Sequence, residues 1–287
     1  GLSKHIIIVQ SFSVLFSIVY SVTWSYSNAK GDHFQSELIP FVLTILFFYI
    51  PLVVLIVYSF NSGKGNTWTG FSTKWYTELF QNSDRLWVSF RYSIIIALIS
   101  ALTSTIIGTL GAIALHWHNF KHKKYLQLIS YLPLIIPEII MGVSLLILFT
   151  QIKFKLGLTT IFLAHTTFNI PFVLFIVLSR LDEFDYSIVE AAYDLGANER
   201  QTLQKVIIPS LMPAIISGFL MAMTLSLDDF VITFFVAGPG SSTLPLHIYS
   251  MLKFGVSPVI NALSVILIAG TVALAISTRK IQKYIVI

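Results

Sequence analysis

Residues 190–209 read EAAYDLGANERQTLQKVIIP. Glu190, Asp194, Glu199, Arg200 and Lys205 fall within this run, in a chain that is 11% charged and 55% hydrophobic. The order of residues is that of two short helices and a turn. Residues 185–195 suit a short helix that Gly196 ends, because glycine takes the left-handed conformation at a helix C-terminus without steric cost. Asn198 is placed to cap a second helix, and Gln201 three residues on completes a capping box. Pro209 and Pro213 flank the start of a long apolar run. The stretch therefore predicts helix, tight turn, helix, then membrane. Small Ala191 and Ala192 would let a partner's backbone approach such a knob. Glu190 and Asp194 lie four apart and share one face, ready for a basic partner.

Outward from this run the chain is greasy on both sides. Soluble domains carry about 25% charged residues, and the mean hydropathy here is +0.82. A bilayer is the solvent that fits, and a span needs about 20 apolar residues. Candidate spans lie near 5–24, 38–60, 90–115, 125–150, 158–180, 211–237 and 258–278. The expected fold class is an all-α, polytopic transmembrane helical bundle. Residues 1–37 read as an extra hydrophobic segment and linker, and 38–287 as one transmembrane domain with long polar loops at 61–89 and 181–210. The segment 1–24 suits a seventh span, an uncleaved signal-like anchor or an interfacial stretch. Setting 116–124, 181–210 and the C-terminal tail on one side, with Lys30, collects ten Lys and Arg against eight elsewhere. By the positive-inside rule that side is cytoplasmic in a multi-pass cell-membrane protein.

Several chemistries are excluded. The chain has no cysteine, so it has no disulfide framework and no Cys-ligated metal site. A formal charge of +5 reads as orientation rather than nucleic-acid binding. There is no Gly-rich phosphate loop ending in Lys-Ser/Thr, no His-Glu-x-x-His and no Gly-x-Ser-x-Gly, so no catalytic residue is assigned. His116, His118 and His122 lie beside Lys121, Lys123 and Lys124, which suits a wet basic loop facing anionic lipid better than a metal site.

Charge inside the apolar runs points to function, because an ionisable side chain there costs roughly 2.5–3.5 kcal/mol by insertion scales. Glu138 stands in YLPLIIPEIIMGVSLL (131–146), after Pro133 and Pro137. On an unbroken helix it would lie on the order of 20 Å into its span, and Asp228 and Asp229 on the order of 25 Å into theirs. Three carboxylates predict a cation pathway or internal pairing. Adjacent residues on a helix point about 100° apart, so one of the acidic pair is expected to hold the backbone near a helix break. Phe230, Phe234, Phe235 and Tyr249 are close in sequence. His165 and Asn169, one turn apart, are expected to satisfy each other or a backbone group.

Glu190-Ala191-Ala192, then Gly196, then Pro209 resemble the "EAA loop" of ABC importer permeases, with Val206 and Ile208 standing for the motif's Ile and Leu. The resemblance implies the type I importer permease fold, with six core spans and 1–24 as an extra. It makes Glu190, Ala191, Ala192, Asp194, Leu195, Gly196, Ala197 and Pro209 the coupling residues that seat in a cytoplasmic ATPase dimer. It also implies a sister permease subunit and an extracytoplasmic substrate-binding protein. ATP and Mg would be bound by the ATPase partners, leaving this chain without a cofactor.

GFSTKWY (70–76), SLDDFVITFFVAGPGSSTLPLHIYSMLKFGVSP (226–258) and NAL (261–263) are similar to the C-type permease subunits of spermidine/putrescine importers, over about residues 40–280. That similarity implies a polyamine cargo. A polyamine site needs separated carboxylates for its ammonium groups and aromatic faces for cation–π contact. Glu138, Asp228, Asp229 and Tyr249 are the candidate pathway residues. Two alternatives stay open: the same role with an amino acid, metal complex or anion as cargo, and a proton-coupled carrier using the carboxylates as a relay.

Overall fold

The computed structural model describes residues 33–64, 67–117, 121–254 and 258–285, so segment 1–24, Lys30 and His118 lie outside the described residues. Among the described residues the regular elements are helices, with one isolated bridge between Asn61 and Phe71. The chain divides into two compact units, residues 1–82 with 256–287, and residues 83–255.

The first unit holds α1 (His33–Ser59), α2 (Lys74–Gln81) and α12 (Pro258–Ile285). The apolar stretch of α1 is Val42–Ser59, and α12 packs against both α1 and α2. Buried Asn61 organises the loop between α1 and α2. Its Oδ1 accepts from the Thr69 amide at 2.9 Å, its Nδ2 donates to the Thr67 carbonyl at 2.8 Å, and its own carbonyl accepts from Trp75 Nε1 at 2.6 Å. Lys74 lies 4.6 Å from the centroid of the Trp75 ring, a cation–π contact. The polar loop predicted at 61–89 is thus largely a folded turn and a short helix.

The second unit is built on α3 (Asp84–Trp117) and α6 (Leu158–Asp182), with α9 (Ile208–Asp228) against both. The buried residues of α3 include Ser93, Ala97, Ser100, Ala101, Ser104, Gly108 and Ala112, a stripe of small side chains. Lipid is as apolar as leucine, so helices in a bilayer gain by close packing rather than by hiding from water, and small residues allow that approach. A Cβ on Gly108 would come within 2.9 Å of the Val173 Cβ and 3.1 Å of the Ile170 carbonyl oxygen. Any larger residue there would separate α3 from α6.

Two predicted spans are broken. The stretch 125–150 is α4 (Lys123–Ile135) and α5 (Glu138–Gln151), meeting at 107°. Ile136 and Pro137 are extended, since proline disfavours the helical conformation of the residue before it and has no amide to give. The depth of about 20 Å counted for Glu138 along one helix therefore does not apply, because Glu138 stands in the first turn of a new one. The stretch 211–237 likewise ends at Asp228, and α10 (Val231–Val236) follows. The α10 helix packs on α5, where a Cβ on Gly142 would sit 2.7 Å from the Phe235 ring.

Between α6 and α9 come α7 (Ser187–Asp194), α8 (Glu199–Thr202) and a π turn over Leu203–Ile207. The α11 helix (Leu244–Phe254) packs on α3, with the Leu244 amide donating to Ser93 Oγ at 2.8 Å. Four described helices are long and apolar enough to cross a membrane, five if the bent pair is counted as one span. The sixth core span expected at 258–278 lies in α12, whose apolar part is Pro258–Ala273.

Candidate functional site

Two places in the second unit gather the residues that the sequence singled out. The first is the knob of α7 and α8. Asp185 Oδ1 accepts from the Ser187 amide at 3.0 Å and starts α7. That backbone hydrogen bond holds the Asp185 carboxyl below the usual range. Leu195 and Gly196 close the helix, with the Gly196 amide donating to the Tyr193 carbonyl at 2.8 Å and the Ala197 amide to the Ala192 carbonyl at 3.0 Å. Gly196 has φ +84°, where a side chain is strained. The predicted capping box is present: the Gln201 amide donates to Asn198 Oδ1 at 2.9 Å, and the Asn198 amide to Gln201 Oε1 at 3.0 Å.

The helix foot is anchored by Val189, buried in one cluster with Leu181, Phe184 and Ile207. Its outer side is open. Glu190, Ala191 and Asp194 are exposed, Ala192 and Ala197 are half-buried, and Pro209 is exposed in the first turn of α9. Leu195 is 89% exposed and Ile188 and Tyr193 are each 47% exposed. The tip therefore presents aliphatic and aromatic side chains with acidic neighbours.

His116 departs from the wet-loop expectation. It packs against Tyr186 at the root of the knob with near-parallel rings, hydrogen-bonds the Tyr186 hydroxyl, and brings Nδ1 to 3.4 Å from Asp182. Among the described residues no group of His, Asp and Glu could hold a metal ion.

The second place is the break between α9 and α10. Asp228 is the last residue of α9 and is exposed, whereas Asp229 is 9% exposed with an extended backbone. Asp229 Oδ2 accepts from the Thr233 amide at 2.9 Å and the Thr233 hydroxyl at 2.7 Å, and Oδ1 from the Ile232 amide at 3.2 Å. The expectation that one acidic residue holds a helix break is met by Asp229. Glu138 is exposed and within electrostatic range of both aspartates. Beside them Phe230 and Tyr249 rings lie 4.6 Å apart, and Phe234 meets both. Tyr249 is 43% exposed and Phe234 51% exposed. The structure thus leaves Glu138 and Asp228 exposed and turns Asp229 inward.

His165 is the residue that sequence reading missed here. It does not pair with Asn169, whose Nδ2 donates to the Ala222 carbonyl at 3.1 Å. Instead its Nε2 lies 3.1 Å from Asp229 Oδ2 and 2.9 Å from Thr233 Oγ1, and its Nδ1 2.6 Å from Ser226 Oγ. Asn169 thus meets the backbone group expected of the pair, and an ionisable histidine within an apolar run was the available signal for His165. Nothing in the sequence placed its partners about sixty residues away.

The family described as binding-protein-dependent transport system inner membrane component matches residues 104–286. The spermidine/putrescine transport system permease protein PotC of Escherichia coli (strain K12) is 43% identical over 238 residues, which cover 83% of this chain and 90% of that protein. The putrescine transport system permease protein PotI of the same organism is 42% identical over 237 residues, covering 80% of this chain and 84% of that protein. Among solved structures, a bacterial ABC transporter involved in the import of the acidic polysaccharide alginate matches with a TM-score of 0.69 at 17% identity, covering 89% of this chain and 97% of that one. At that identity the last match speaks for the fold alone.

Proposed function

Because the chain belongs to the family of inner-membrane components of binding-protein-dependent transport systems, and is thus a multi-pass transport subunit of the inner membrane, we propose that it is the permease through which an ABC importer moves polyamines into the cell. The observation that carries this reading is the 43% identity, over most of both chains, to a protein named for spermidine and putrescine. The acidic break adds chemical support. A polyamine is a methylene chain between ammonium groups; Glu138 and Asp228 offer two exposed carboxylates, and the Phe230, Phe234 and Tyr249 rings cluster just after the acidic pair.

In this proposal residues 38–287 form the permease domain, 1–37 are an addition to it, and 181–210 are the cytoplasmic coupling loop. The knob of α7 docks in a dimer of ATPase subunits. Leu195 and Ala191 supply its apolar contact, and Glu190 and Asp194 face basic groups of the partner. ATP and Mg belong to those partners, and this chain performs no chemistry on its cargo. A sister permease completes the pore and an extracytoplasmic binding protein delivers the substrate.

The test is uptake of labelled spermidine by cells without their own polyamine system, carrying this chain with its cognate ATPase, sister permease and binding protein. Uptake is expected, and is expected to stop when the ATPase is replaced by a hydrolysis-dead form. An assembled, hydrolysing complex that admits no polyamine would reject the cargo and leave the permease role standing. Uptake by this chain alone, driven by a proton gradient, would reject the ATPase coupling.

A further inference from the structure

The buried network behind Asp228 has a complete set of donors. Thr233 Oγ1 donates to Asp229 Oδ2 at 2.7 Å, so its oxygen can accept from His165 Nε2, 2.9 Å away. The same Nε2–H lies 3.1 Å from Asp229 Oδ2. On the other edge of the ring, Ser100 Oγ donates to Ser226 Oγ at 3.2 Å, which leaves the Ser226 proton for His165 Nδ1 at 2.6 Å. One tautomer, with the proton on Nε2, satisfies every contact. Asp229 then receives four donors, from the Ile232 and Thr233 amides, the Thr233 hydroxyl and His165. A carboxylate has about four lone-pair sites. Three of these donors meet at Oδ2 and one at Oδ1, and with its side chain 5% exposed Asp229 offers a substrate ammonium almost no surface.

We propose that Asp229 is not a cargo-binding group but the hub of a clamp with His165 and Thr233 that ends α9 at Asp228 and aims the Asp228 carboxylate at the pathway, which makes His165 a positioning residue for cargo. As regards cargo, this rests on the polyamine reading above. The clamp ties three helices together at one point: His165 from α6, Ser226 from α9 and Thr233 from α10. Ser100 extends it to α3. Without His165, Asp229 keeps its local acceptor role but loses its tie to α6, so the break is free to re-form at another residue. The adjacent acidic residues would then exchange their inward and outward positions.

This sequence has no cysteine, so in this chain a thiol reagent reads only the one introduced. In the assembled transporter, Asp228→Cys is labelled with a water-soluble thiol reagent, alone and combined with His165→Leu or His165→Gln. Gln keeps a donor near Nε2 and an acceptor behind it, and Leu keeps only bulk. The thiol of Asp228→Cys is expected to react readily, to react about 10-fold more slowly with His165→Leu, and to recover with His165→Gln. Equal rates in all three would overturn the proposal. Should the Leu variant fail to assemble, Thr233→Val removes one donor while keeping shape, and the same comparison is made with it.

Spermidine uptake, measured with the native Asp228, supplies the second readout. His165→Leu is expected to raise KM about 10-fold with kcat changed less, and adding Asp229→Asn to it should cost little more, because both act on one unit. A KM that is unchanged in His165→Leu but raised in Asp229→Asn would mean that Asp229 binds cargo directly, and the proposal would fall. If the native transporter admits no polyamine, the cargo reading fails, while the labelling rates still decide the clamp.

Discussion

The knob at 187–202 and the break at 228–231 have the same outline, a helix that stops and a helix that starts, and they are held in opposite ways. In the knob the bonds are local: Asp185 to Ser187, Gly196 to Tyr193, Asn198 to Gln201. Only its root reaches far, from Tyr186 to His116. At the break, His165 reaches Ser226, Asp229 and Thr233, sixty-one to sixty-eight residues away. An exposed element can be built from its own residues and water. A buried break cannot, since backbone and carboxylate groups away from water need donors from protein.

The contrast breaks most visibly if the two aspartates prove alike. Asp229→Ala strands two amides and an imidazole in the interior, and losing one partner of such a buried pair costs about 3–5 kcal/mol. Asp228→Ala removes an exposed carboxylate and should stay within about 0.5 kcal/mol. Thermal unfolding of the purified transporter is expected to drop sharply for the first and hardly at all for the second. Equal drops would mean that the break is not held through Asp229.

Next in size comes the tip of the knob. Leu195→Asp should weaken ATPase association by about 2 kcal/mol, roughly 30-fold, as loss of an apolar anchor does. The unfolding temperature of the permease should be unchanged, because the residue is 89% exposed. A stability loss would show that Leu195 packs at home rather than abroad. Gly196→Val is smaller, about 1–2 kcal/mol of backbone strain at a left-handed position. It should lower both stability and transport-coupled ATP hydrolysis, and Gly196→Asn should restore much of each. A neutral Gly196→Val would show that the turn tolerates another conformation.

The smallest effect is set by pH. The Ser187 amide lowers the Asp185 pKa, so the carboxylate contributes stability above the unfolded pKa of about 3.9. That contribution is lost as pH falls through the lower, folded value. Asp185→Asn should flatten this part of the acid profile of unfolding, and an unaltered profile would show that the start of α7 does not rely on the charge.

The same contrast explains what is legible in the sequence. Gly196, Asn198 and Gln201 were legible because each is satisfied within a few residues, so a pattern in sequence is also a pattern in space. The long apolar runs were legible for the same reason. The clamp was not, since Asp229 and His165 are joined only by the packing of α6 against α9 and α10. Nor was the 107° bend: Pro137 announces an interruption, but its angle is set by what α4 and α5 each pack against. His116 was misread because its partner Tyr186 lies seventy residues on.

The π turn at 203–207 carries one residue more than the helices around it need, and that extra residue changes the phase of everything after it. The inward face shows the slip as a count. Thr202 and Ile207 are both buried and five apart, while Leu211, Ala214, Gly218, Ala222 and Ser226 follow at intervals of three or four. A helical wheel drawn without a gap from Glu199 to Asp228 would rotate every later position by about 100° and turn Ser226 away from His165. The bulge is thus what brings the rhythm of the knob into register with the buried clamp two dozen residues further along.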